Sequence, residues 1–173
     1  MTDGFVIMQI GDNEMDAVYR EVITPAITAS GLTPRRVDAH NLGGLLQNEI
    51  ASFIERSEII VADLTNERPN CYLEVGYAIG LGKLRNLILA ARRDHNSSSR
   101  DHIAGGPKVH FDLSSYDILY WDPADLPGYR VELEARIRRR RAILPAPTAE
   151  NPWNEPWTGE MRSRAFEGLS KHE

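Results

Sequence analysis

Short apolar runs alternate along the chain with longer stretches in which apolar residues recur every three or four positions. That alternation is the pattern of a parallel sheet wrapped by helices, and it predicts an α/β fold. The first run, Phe5 to Ile10, ends at Gly11-Asp12-Asn13, after which Met15, Val18, Val22, Ile23, Ala26 and Ile27 fall on one helical face. The helix is expected to stop at Ser30-Gly31, where glycine takes the left-handed closing conformation, and Pro25 should bend or split it. Leu32 to Asp38 predicts a second, more polar strand near an edge, and Ala39-His40-Asn41-Leu42-Gly43-Gly44 a loop. A second helix is predicted from about Leu45 to Arg56, burying Leu46, Ile50, Phe53 and Ile54.

Ile59-Ile60-Val61-Ala62 is the most β-prone run and predicts a central strand buried on both faces. It gives way to polar residues at Asp63-Leu64-Thr65-Asn66, a third helix follows over about Asn70 to Leu81, and Gly82 ends it. Asn86 to Ala90 supplies a fourth strand, Tyr116 to Trp121 a fifth, and Tyr129 to Ile143 a last helix. Between strands four and five, Arg92 to Asp112 reads as a lid or a disordered loop, punctuated by Asn96-Ser97-Ser98-Ser99 and Gly105-Gly106-Pro107. The domain is therefore set at 1–144. Residues 145–173, with Pro145-Ala146-Pro147 and Pro152-Trp153-Asn154-Glu155-Pro156-Trp157, are expected to be an extended tail packed on a surface or on another subunit.

A five-stranded parallel sheet wound in the order 2-1-3-4-5 makes strands 1 and 3 neighbours whose following loops diverge, leaving a ligand crevice at their carboxyl ends. Here that rule brings Gln9, Ile10 and Gly11 beside Asp63, Leu64 and Thr65, with Asp38 and His40 flanking the opening. Glu74 stands out because Cys71-Tyr72-Leu73-Glu74-Val75-Gly76-Tyr77-Ala78-Ile79 is otherwise apolar enough to be buried, and a buried carboxylate is costly unless paired, capped or used. Its place in the first turns of the helix lets the helix dipole help hold it ionised. A carboxylate so placed suits glycosidic cleavage, where the sugar C1′ becomes oxocarbenium-like and must be stabilised or attacked. Asp63 and Asp38 are candidates to hold ribose hydroxyls, Asn70 to orient Glu74, and Tyr77 to line the substrate.

Each of these residues has a plainer reading. Glu74 fits a helix carboxylate bonded to backbone or to an arginine, Asn70 after Pro69 an N-cap, and Asp63 a cap of the strand-to-helix turn. Cys71 reads as a small buried hydrophobe, because no histidine stands at a spacing that would make it a nucleophile. Arg136 to Arg141 reads as a solvated helix face favoured near a helix C-terminus. No metal is expected, since no His or Cys pair has ligand spacing in a regular element. Gly11 belongs to no G-x-G-x-x-G fingerprint and no P-loop lysine motif occurs, so neither a Rossmann dehydrogenase nor an NTPase is indicated.

Composition narrows the classes further. With 173 residues, 42% of them hydrophobic, the chain can bury one good core. A formal net charge of -5 disfavours a nucleic acid polymer as partner. A single cysteine excludes an intramolecular disulfide and suits a reducing, cytoplasmic setting. No run approaches the length of a membrane span, and no targeting segment is read at the N-terminus.

Ile60-Val61-Ala62-Asp63-Leu64-Thr65 followed by Arg68-Pro69-Asn70-Cys71-Tyr72-Leu73-Glu74-Val75-Gly76-Tyr77-Ala78 resembles the signature of the nucleoside 2-deoxyribosyltransferase-like and Toll/interleukin-1-receptor-like (TIR-like) bacterial proteins. The resemblance extends weakly over about residues 4 to 140, and departs from the TIR-like pattern at Gln9-Ile10-Gly11 and at Cys71. It implies a flavodoxin-like three-layer sandwich and makes Glu74 the residue that acts at the sugar carbon of a nucleoside, nucleotide or NAD. It also implies either base exchange through a glycosyl-enzyme or hydrolysis or cyclisation of NAD, the latter often in antiviral defence.

Two functions of different class follow. One is an N-glycosidase or deoxyribosyltransferase that needs no cofactor, takes NAD, if at all, as substrate, and works as a homo-oligomer. The other is a catalytically silent nucleotide sensor or assembly module using the same crevice.

Overall fold

The computed structural model describes residues 2–39 and 46–144. Strands β1 (Asp3–Ile7), β2 (Thr33–Arg35), β3 (Ile59–Asp63), β4 (Leu87–Arg92) and β5 (Ile118–Trp121) form one sheet in the order β2-β1-β3-β4-β5. Every pairing is parallel, with Phe5 opposite Ile60, Val61 opposite Ile88 and Ala90 opposite Leu119. This is the expected α/β topology. β2 is shorter and more polar than the rest and carries Pro34, which an edge strand tolerates because its N–H side needs no ladder partner.

Alternation along the strands divides the core into two layers. Val6, Met8, Ile59 and Val61 face helices α1 (Asn13–Val18), α2 (Thr24–Ala29) and α6 (Leu126–Ile143). Phe5, Ile7, Ile60, Ala62 and Leu64 face α3 (Leu46–Arg56), α4 (Pro69–Gly80) and the short α5 (Phe111–Ser114). The three central strands are apolar on both faces because both faces are covered. At Gly4 the packing of α2 on the sheet leaves no choice of residue size: a Cβ there would stand 2.7 Å from Ile27 Cγ2.

The first helix is indeed split. Between α1 and α2 the backbone widens into a π turn, Tyr19–Ile23, where the Thr24 N–H reaches back to the Tyr19 carbonyl. Pro25 has no N–H for the preceding turn, and the wide turn absorbs that loss without breaking the axis. α2 then closes at Gly31, whose φ of 78° is the left-handed region.

The stretch between β4 and α5 differs from the sequence expectation. It is not a disordered loop: the turn Arg93–His95 buries His95, Val109 N–H donates to the His95 carbonyl, and the Val109 side chain joins the core. His102 Nδ1 and the Asp94 carbonyl lie 2.8 Å apart, and Arg93 pairs with Asp101 at 2.5 Å. Polar punctuation marks the turns, but two buried side chains decide that they are pinned.

Candidate functional site

The loops that leave β1 and β3 diverge as predicted, one entering α1 on one face of the sheet and the other entering α4 on the opposite face. Gln9 is half-buried and Ile10 is exposed. Gly11 has a φ of 77° and open space for 4 Å around the position a Cβ would take, so the backbone conformation alone demands glycine there. Asp12 caps α1 by accepting the Met15 N–H at 3.0 Å. Across the gap, Asn66 Nδ2 donates to Gln9 Oε1 at 2.9 Å, tying the two strand ends together.

Glu74 lies on one shoulder of the buried stripe of α4, which is made by Cys71, Val75 and Ala78. The opposite shoulder carries Tyr72, stacked on His110 at 4.3 Å. Tyr77, the next residue round from Glu74, donates its hydroxyl to Glu55 on α3 at 2.7 Å, so Glu74 faces the α3 and β1 side. Helical side chains lean toward the N-terminus, which points Glu74 back to the carboxyl edge of the sheet. Among the described residues the half-buried Glu74 carboxyl has no hydrogen-bond or ion-pair partner, and burial pushes it up to about 7. Loss of solvent is the cause of that shift, and it acts against the helix dipole, which favours the ionised form.

Asp63 is not part of the opening. It shares the parity of Ile59 and Val61 on β3, so it points into the α6 layer, the face of the sheet opposite to Glu74. There it is fully buried, accepting the Thr65 N–H at 3.0 Å and Trp121 Nε1–H at 2.9 Å. Burial raises its pKa in spite of those two bonds. The Tyr129 hydroxyl stands near it, also buried and outside hydrogen-bond geometry. The cap reading of Asp63 is the one the structure supports.

Thr65 and Tyr77 also leave the proposed lining. Thr65 is fully buried, and its Oγ1 accepts the Arg92 N–H at 2.9 Å, which joins the ends of β3 and β4. Tyr77 is turned to Glu55, in the last turns of α3 and so toward the amino edge of the sheet. Asn70 is exposed in the first turn of α4 and makes no side-chain hydrogen bond among the described residues, so it neither caps the helix nor orients Glu74. Asp38 does reach the carboxyl edge, held by Arg36 through bonds of 2.7 and 2.6 Å. His40 lies outside the described residues, as does the tail from 145 to 173.

Arg36 and Arg92 are the residues that sequence reasoning missed at this edge. Arg36, buried over the Tyr19 ring, also pairs with Asp16 at 2.8 Å; burial opposes its charge, and Asp38 and Asp16 together hold its pKa above the ordinary value. Arg92 pairs with Asp94 at 2.9 Å and with Glu14. Cys71 is buried and its thiol is pushed up to about 12, chiefly by burial, which matches the reading of it as a small hydrophobe.

No family model and no curated protein matches this chain. Among solved structures it is similar to the 2-desoxiribosyltransferase from Leishmania mexicana, at 15% identity and a TM-score of 0.44, over 66% of this chain and 94% of that chain. No helix among the described residues is long and apolar enough to cross a membrane. Chemically, the edge offers one carboxyl that can be ionised or protonated near neutrality, an exposed apolar residue in Ile10, and the polar pair Gln9 and Asn66.

Proposed function

We propose that the crevice beside β1 and β3 binds a nucleoside or nucleotide and cleaves its N-glycosidic bond, with Glu74 as the catalytic carboxylate. The observation that carries this reading is Glu74 itself: half-buried, without a partner among the described residues, and poised at about 7. A surface carboxylate would need none of this, and a structural one would be paired, as Asp63 is. The motif in which Glu74 sits, with its resemblance to deoxyribosyltransferase-like and TIR-like proteins, supports the same role. In the reaction the base leaves with the electron pair of the C1′–N bond and takes up a proton, while Glu74 stabilises the cationic sugar or bonds to C1′ until water or a second base displaces it. Arg36 and Arg92 are each already committed to two carboxylates, so neither is free to grip a phosphate.

The test is chromatography of the full chain incubated with NAD, nucleoside monophosphates, and deoxynucleosides with and without added free bases, beside Glu74→Gln. Free base or a new nucleoside formed by the wild type, and reduced about 10²- to 10⁴-fold in the variant, is the expected result. Intact substrates in both, with the protein folded and its assembly state known, would turn the reading to a nucleotide sensor.

A further inference from the structure

The turn after β3, which flanks the proposed crevice, is held by a side chain from the turn after β4. His95 is 1% exposed, in the turn after β4. Its Nδ1 lies 2.6 Å from Asp94 Oδ1, and its Nε2 accepts the Asn66 N–H at 2.8 Å. Asp94 is gripped twice by Arg92, at 2.9 Å to each oxygen; burial alone would raise it, and the bonds from Arg92 and His95 hold it down at about 2. A carboxylate beside Nδ1 requires the proton on that nitrogen, which leaves the Nε2 lone pair for Asn66.

Asn66 needs that acceptor. It stands at φ 68°, and Glu67 after it at φ 49°, two successive non-glycine residues in the left-handed region. Such a pair persists only where surrounding contacts over-determine it. From this conformation Asn66 Nδ2 reaches Gln9 Oε1 across the gap between β1 and β3. We propose that His95 is the positioning residue of the crevice: as a neutral imidazole accepting from Asn66, it holds the left-handed turn and through it aims Gln9 at the bound nucleoside. That the bound molecule is a nucleoside rests on the glycosidic reading above; the relay from Asp94 through His95 and Asn66 to Gln9 does not.

Two variants of the full chain separate positioning from packing. His95→Gln keeps an acceptor near the place of Nε2, whereas His95→Asn keeps a donor near Nδ1 and leaves the Asn66 N–H without an acceptor. Amide hydrogen exchange at Asn66 is read by NMR, and KM and kcat are read from adenine release from 2′-deoxyadenosine. The expected result is that His95→Asn exchanges at Asn66 about tenfold faster and raises KM about tenfold with kcat little changed, while His95→Gln stays near wild type in both. Wild-type exchange and KM in His95→Asn, or equal losses in both variants, would overturn the proposal. Should the wild type release no adenine while Asn66 exchange follows the expected pattern, 2′-deoxyadenosine falls as the substrate and the relay stands.

Discussion

Asp63 and Glu74 sit eleven residues apart in one motif, and both are carboxyls that burial pushes upward, yet the fold treats them in opposite ways. Asp63 ends a central strand on the α6 face, entirely out of water, with each oxygen accepting an N–H. Glu74 stands on the other face of the sheet, partly open, with no partner among the described residues. A satisfied buried carboxyl stabilises a turn and a strand end. An unsatisfied one costs stability, and the catalytic role proposed for Glu74 gives that cost a use.

The largest expected effect is the loss of glycosidic turnover in Glu74→Gln, without loss of fold; a variant as active as the wild type would break the contrast at its functional end. Next comes Asp63→Ala, which strands the Thr65 N–H and the Trp121 indole N–H in the core. Urea unfolding is expected to register a loss of about 3–5 kcal/mol, a large part of a domain's stability; Asp63→Asn, which keeps one acceptor but turns an NH2 toward the other N–H, is also destabilised. A loss below about 1 kcal/mol for Asp63→Ala would mean that the buried bonds matter little.

The pH dependence sharpens the Glu74 side. Its folded pKa of about 7 lies above its ordinary 4.5, so its contribution is fully present below about 4.5 and is lost as pH rises through about 7. Glu74→Gln should therefore match the wild type near pH 4 and exceed it by about 1–3 kcal/mol at pH 8, after allowing for partial solvent screening. Parallel stability curves across that range would show a carboxyl that is not desolvated. The smallest effect is predicted for Tyr77→Phe, which removes an exposed hydrogen bond to Glu55: less than about 0.5 kcal/mol in stability and no change in KM, since that hydroxyl is turned from the crevice. A several-fold rise in KM would return Tyr77 to the site.

Legibility follows the range of the interaction. The strands, the split at Pro25 and the close at Gly31 are readable because each depends on a few neighbouring residues. Glu74 is readable because a carboxylate in an apolar helix is a local anomaly. His95 and Arg36 carry no such signal. Asn66 lies 29 residues before His95, and Asp16 lies 20 before Arg36, so neither partner is visible from its own segment.

The sequence by itself determined the α/β class, the order of elements and the identity of the unusual carboxylate, because periodicity and composition are properties of neighbours along the chain. Only the tertiary structure decided that Asp63 and Glu74 occupy opposite layers, that Thr65 and Tyr77 are spent on internal contacts, and that the stretch after β4 is anchored. The reason is geometric. Which face a strand residue points to follows from the register of the whole sheet, and which donor meets which acceptor follows from packing between segments far apart in the chain.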